Sequence, residues 1–167
     1  MIDTGEQLVS SYLRYIKGCD FVEMNVIVPK QLLDRKCDGE IDVIGLNTDS
    51  GQVYLCEVAA HENGLNYGHG KSKPCEQVLL EKFQCVSAYA KDRLKQWEQR
   101  FMFWTPTISE GKLNRVKTVL KVYNVEIISG DIFFEYIDAL RRHASKESGK
   151  LLCPLMRLMQ IESWCQK

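Results

Sequence analysis

Asp42 lies in the segment Gly39-Glu40-Ile41-Asp42-Val43-Ile44-Gly45, and Glu57 lies in Val53-Tyr54-Leu55-Cys56-Glu57-Val58-Ala59. Both segments have the apolar character of buried strands, where a lone carboxylate is costly unless it is paired or coordinates a metal. Alternate side chains share a strand face. Glu40, Asp42, Ile44 and Leu46 are therefore expected on one side of the first segment, and Val53, Leu55, Glu57, Ala59 and His61 on one side of the second. If the two strands are neighbours, Asp42 and Glu57 converge at one end of a sheet and can share a cation. Carboxylates, a backbone carbonyl and water are the oxygen ligands that octahedral Mg²⁺ takes. Such an ion activates water and stabilises the charge that builds on a phosphate under attack. Glu6, at the start of the preceding helix, is a third acid. The plainer alternative is a salt-bridged sheet residue at Glu57 and a strand-end acid at Asp42, since short acidic patterns recur by chance.

The elements that must position these acids are readable from periodicity. Thr4 and Gln7 have the form of a capping box, opening a helix to about residue 17, where Gly18 stops it. Leu8, Val9, Tyr12, Leu13 and Ile16 form its apolar stripe. Residues 21–28 read as a strand ended by Pro29, 31–38 as a polar connection, 40–46 as a second strand and 52–61 as a third. The third is apolar on both faces, the mark of a central strand. A glycine-rich, locally basic segment, 63–73, follows, and unstructured loops of that length are commonly functional or disordered. Pro74 suits the first turn of a helix to about residue 99, with Val78, Leu79, Phe83, Val86 and Ala90 facing inward. A strand at 100–104, a helix at 113–123, a strand at 125–128 and a helix at 131–143 complete the core pattern. Three consecutive strands favour a meander, and the later strand–helix–strand units require parallel crossovers. The expectation is an α/β fold, a mixed β-sheet with helices on both faces. Residues 1–143 form the domain, 144–150 a polar linker and 151–167 a last helix packing on the core or on a partner.

Composition narrows the function classes. The chain has 167 residues, with 22 Lys plus Arg against 22 Asp plus Glu. Zero net charge argues against a protein that coats nucleic acid through excess positive charge, but leaves room for a local basic groove. No hydrophobic run approaches the roughly 20 residues that span a bilayer. The N-terminus lacks a signal-peptide pattern, so a cytoplasmic location is expected. Seven cysteines without a C-x-x-C pair read as reduced thiols. Walker-type loops, G-x-G-x-x-G after a strand and G-x-S-x-G elbows are all missing, which makes nucleotide hydrolases, dinucleotide oxidoreductases and serine hydrolases poor candidates.

Taken together, Gly5-Glu6 at a helix start, Tyr12-Leu13, Gly39-Glu40-Ile41-Asp42-Val43-Ile44 and Leu55-Cys56-Glu57-Val58-Ala59 resemble the PD-(D/E)XK nuclease superfamily. The similarity covers roughly residues 4–100 and is nearest the small bacterial branch similar to Holliday-junction resolvases. The resemblance implies a restriction-endonuclease-like fold, a Mg²⁺ (or Mn²⁺) cofactor, DNA as substrate, and a possible homodimer. It also implies that Glu6, Asp42, Glu57 and the backbone carbonyl of Val58 hold the metal. The chain departs from the pattern at Ala59, where the family carries a lysine that orients the attacking water. Three readings are open. The lysine has moved, to Lys82 within the long helix or to Lys71 or Lys73 in the loop; His61 substitutes for it; or catalysis is lost and the fold only binds. Lys71, Lys73, Tyr67 and Gln77 are candidates for contact with nucleic acid, Tyr67 by stacking on a base. The leading expectation is a divalent-metal-dependent endonuclease of repair, recombination or restriction type. The second is a catalytically degenerate module binding nucleic acid or protein.

Overall fold

The first helix is started by an aspartate. Asp3 accepts the Gly5 N–H at 2.6 Å, and the Glu6 carboxylate reaches back to the Asp3 N–H at 3.4 Å. This reciprocal cap stands one residue ahead of the Thr4–Gln7 box expected from sequence. Its two carboxylates satisfy N–H groups that the helix leaves unpaired, and their charge suits the positive end of the helix dipole. The computed structural model describes residues 3–32, 38–60 and 73–165.

In these residues α1 (Thr4–Tyr15) precedes a meander of β1 (Phe21–Val28), β2 (Gly39–Asn47) and β3 (Gln52–Val58). There follow α2 (Cys75–Arg93), β4 (Glu98–Trp104), α3 (Glu110–Leu120), β5 (Glu126–Ile128), α4 (Asp131–Lys146) and α5 (Pro154–Cys165). The five strands lie in sequence order, β1-β2-β3-β4-β5. The first three pair antiparallel, and β4 and β5 join parallel through helical crossovers, as the pattern predicts. The protein is therefore an α/β fold on a mixed sheet.

Helices cover both faces. On one, α1, α4 and α5 close over Val43, Tyr54, Cys56, Met102 and Trp104. On the other, Leu79, Phe83, Val86 and Ala90 of α2, with Val116 and Leu120 of α3, close over Ile44, Val53, Leu55 and Phe103. Residues 53–57 of β3 are all buried, the two-sided coverage its composition predicts for a central strand. No helix among the described residues is long and apolar enough to cross a membrane, and the cysteines among them are free thiols.

Several boundaries differ from the sequence expectation; α3, expected at 113–123, runs from Glu110 to Leu120, and β4, expected from 100, starts at Glu98. β3 stops at Val58 and does not reach residue 61. The helix expected to about residue 99 ends at Arg93, and Gln99 Nε2, at the start of β4, donates to the carbonyls of Ala90 (3.2 Å) and Leu94 (3.4 Å) at this end. The supposed linker at 144–150 begins as the last turn of α4, where Ala144 is fully buried. Gln160 of α5, also fully buried, donates to the carbonyls of Glu147 and Gly149, both at 2.8 Å, so α5 is seated on the core.

Candidate functional site: two carboxylates and a lysine

The site is made where the sheet breaks its own pattern. β1 and β2 pair in one register from Phe21↔Leu46 to Val28↔Gly39, but the Asn25–Asp42 rung is missing. The β2–β3 ladder likewise starts at Val43↔Cys56, one step short of Asp42 and Glu57. Val22, Met24 and Val43 pack beneath α1, whereas Val26, Val28 and Ile41 pack beneath α2. Both strands thus turn over together at Asn25 and Asp42. Simple alternation, which placed Glu40 on the same side as Asp42 and Ile44, fails at this point: Glu40 lies across the inversion from Ile44, opposite in face to Ile41, and is exposed.

Released from both ladders, the Asp42 carboxylate takes the Val58 N–H on Oδ2 at 2.6 Å. Its Oδ1 lies 3.5 Å from Lys82 Nζ. Lys82 also pairs directly with Glu57 Oε2. Lys82 reaches the acids because it lies three residues after Leu79 and four before Val86, on the edge of the stripe that α2 buries against the sheet. The Glu57 side chain is 0 % exposed, Asp42 11 % and Lys82 30 %, so the cluster meets solvent on the lysine side.

Electrostatics at Glu57 are unusual. Burial pushes its carboxyl up from 4.5 to about 8; the Lys82 ammonium opposes that rise and the Asp42 charge adds to it. Among the described residues its Oε1 is buried with no hydrogen-bond partner. Unpaired buried acceptors are rare in folded proteins. Two carboxylates, one presenting such an oxygen, make a donor set that fits a hard divalent cation.

No protein-family model matches this chain, and no curated protein does. The site stands on its own geometry.

The sequence candidates fall into three groups. Asp42, Glu57 and Lys82 come together, with the Val58 backbone tied to Asp42. Glu6 does not join them: its Oε2 accepts from Asp3 N–H and from Asn25 Nδ2 at 3.2 Å. Among the described residues no three His, Cys, Asp or Glu side chains are grouped to hold one ion. Lys73 pairs with Glu81 at 2.6 Å, and Gln77 Nε2 donates to the same oxygen at 3.4 Å; both are exposed near the start of α2. His61, Tyr67 and Lys71 lie outside the described residues. Ala59, where the resembled family has its lysine, is fully buried in the apolar layer under α2, and its N–H donates to the Trp104 carbonyl at 2.8 Å.

Sequence reading missed Asn25. The signal was one polar residue of the type that best tolerates left-handed backbone, set inside the apolar run Met24-Asn25-Val26. It also left Gly5 without a physical role. A Cβ at Gly5 would stand 2.4 Å from Ala60 Cβ and 3.1 Å from Val58 Cγ1, so only glycine lets the start of α1 approach the end of β3 beside Glu57. Gly5→Ala is expected to lower unfolding free energy by about 1–3 kcal/mol, the usual cost of overpacking, measured by urea denaturation. An unchanged midpoint would show that this approach is soft.

Proposed function

We propose that this chain is a divalent-metal-dependent nuclease that hydrolyses phosphodiester bonds in DNA. In this reading it is a restriction-endonuclease-like enzyme of PD-(D/E)XK type in which Lys82 replaces the motif lysine absent at Ala59. The observation that carries it is the convergence of Asp42, Glu57 and Lys82 from three separate elements on one solvent-facing point. Asp42 and Glu57 would hold Mg²⁺ or Mn²⁺. Glu6, occupied by Asn25 and the helix cap, is given a supporting place. When bound, the cation supplies Lewis acidity toward the scissile phosphate.

The chain's own groups account for the rest. The Val58 N–H fixes the orientation of the Asp42 carboxylate. The Lys82 ammonium, anchored by Glu57, offers donors to orient a water and a positive charge to offset that gathering on the phosphate. Lys73, just before α2, and Gln77, in its first turn, are both exposed and would meet a DNA backbone approaching that side.

The test is incubation with branched, nicked, single-stranded and double-stranded DNA in Mg²⁺ or Mn²⁺. Cleavage is expected, abolished by chelator and by Asp42→Asn. If every substrate stays intact, the reading fails. One observation favours a second reading, a binding module on the same fold: the Lys82 ammonium already pairs with both acids where a cation would sit. That module would retain DNA or protein affinity in the presence of chelator and turn nothing over.

A further inference from the structure

Asn25 has φ +56° in the middle of an edge strand. Left-handed backbone is disfavoured for every residue with a Cβ, and asparagine bears it best. Such a conformation persists where its surroundings determine it. Here the surroundings are explicit. Asn25 Nδ2 donates to Glu6 Oε2 at 3.2 Å, and Glu6 is itself held by the Asp3 N–H. The rungs on either side, Met24↔Val43 and Val26↔Ile41, keep a single register, so no residue has been inserted. The distortion is not a bulge that shifts the strand. It is a local inversion that costs one rung, and the residue opposite is Asp42.

We infer that Asn25 is a positioning residue for Asp42, and that Glu6 acts on the site through Asn25. A regular rung at this position would hold the Asp42 backbone in the β1 ladder and keep the two strands in phase. The inversion frees it, and the carboxylate then seats on the Val58 N–H and faces Lys82. The acid at the start of α1 is thereby tied to the site without belonging to the donor set. This inference rests on the reading of Asp42 and Glu57 as a cation site, but the seat of Asp42 can be measured without cation or DNA.

The readout is amide exchange and chemical shift of the Val58 N–H by NMR on the whole chain in metal-free buffer. A parallel Mn²⁺ titration follows paramagnetic broadening at the site. Asn25→Val, which resists positive φ, is expected to lose roughly tenfold or more of Val58 protection, the scale of a hydrogen bond to a charged group. Asn25→Gly, which adopts positive φ freely, should stay within about threefold of the parent. Glu6→Ala should lower Val58 protection, and Glu6→Gln, which keeps an acceptor for Asn25, should restore it. Mn²⁺ affinity should follow the same order. If Asn25→Val does not fold, the Glu6→Ala and Glu6→Gln pair decides. Val58 protection unchanged in Glu6→Ala, or equally lost in Asn25→Gly and Asn25→Val, overturns the inference. Protection that follows the predicted order while no variant binds Mn²⁺ keeps the positioning role and removes the cation reading.

Discussion

Lys82→Met is expected to slow cleavage by about 100-fold or more and, in the same protein, to increase the stabilisation gained from a divalent cation. Methionine keeps the length and apolar stem of lysine and removes only the ammonium. Loss of a positioned charge at a reacting phosphate costs about 10²–10³-fold in rate. Without cation, the variant leaves Glu57 and Asp42 facing one another in a site where Glu57 has no exposure. Breaking a buried ion pair by removing one partner commonly costs about 3–5 kcal/mol. That figure is an upper bound here, because Glu57, already pushed up to about 8 by burial, relieves the penalty by taking a proton. A divalent ion then meets two acids with no ammonium competing for them. The rise in Tm on adding Mn²⁺ should be larger in Lys82→Met than in the parent, by the mass-action rule for a ligand that binds only the folded state. Lys82→Arg is the useful control: its planar guanidinium keeps the charge but not the compact donor geometry, so it should restore stability more than rate. A Lys82→Met protein that cuts at close to the parental rate would remove the lysine from the mechanism. Absence of any Mn²⁺-dependent shift in parent and variant alike would remove the cation site.

The sequence made the meander, the parallel crossovers and the two-sided burial of β3 legible, because apolar periodicity reports which faces are covered. The Asp42–Glu57 pair was legible for the same reason: carboxylates inside apolar strands demand partners. Lys82 was readable only as one option among several basic residues. Helical spacing places it on the edge of the buried stripe, but whether an edge lysine turns to solvent or to the sheet depends on what the sheet presents there. Period-two reasoning went wrong where one residue changed the backbone. It placed Glu40 beside Asp42, and Asn25 reverses that phase in both β1 and β2. The helix cap stands at Asp3 and not Thr4, where both residue types cap well; in the observed cap the Glu6 carboxylate serves the Asp3 N–H and Asn25 together. The Asn25–Glu6 bond, which joins α1 to the sheet edge, links residues too far apart in sequence for a local pattern to show.

Glu57→Gln should separate stability from activity, with opposite signs. Glutamine keeps the shape of the side chain and removes its titration. In the folded protein Glu57 holds its proton up to about pH 8, while in the unfolded chain it releases it near 4.5. Between those values the native state binds more protons than the unfolded state, so this group's contribution to stability falls as pH rises and levels off above about 8. A tenfold difference in proton affinity corresponds to about 1.4 kcal/mol, so the effect across the window is on the order of a few kcal/mol. The parent should therefore lose stability from pH 5 to pH 8 more steeply than Glu57→Gln, and the variant should be the more stable of the two at pH 8. Cleavage should move the other way. A cation requires the ionised carboxylate, so parental activity should climb with pH toward 8. The variant, left with Asp42 alone, should fall by at least about 10²-fold, on the scale of losing one preorganised electrostatic group. Urea denaturation across pH 5–8, set beside cleavage rates over the same range, makes the comparison. Parallel stability curves for the two proteins would mean that Glu57 titrates as an ordinary carboxylate, and the strongest electrostatic argument for a cation at this site would go with it.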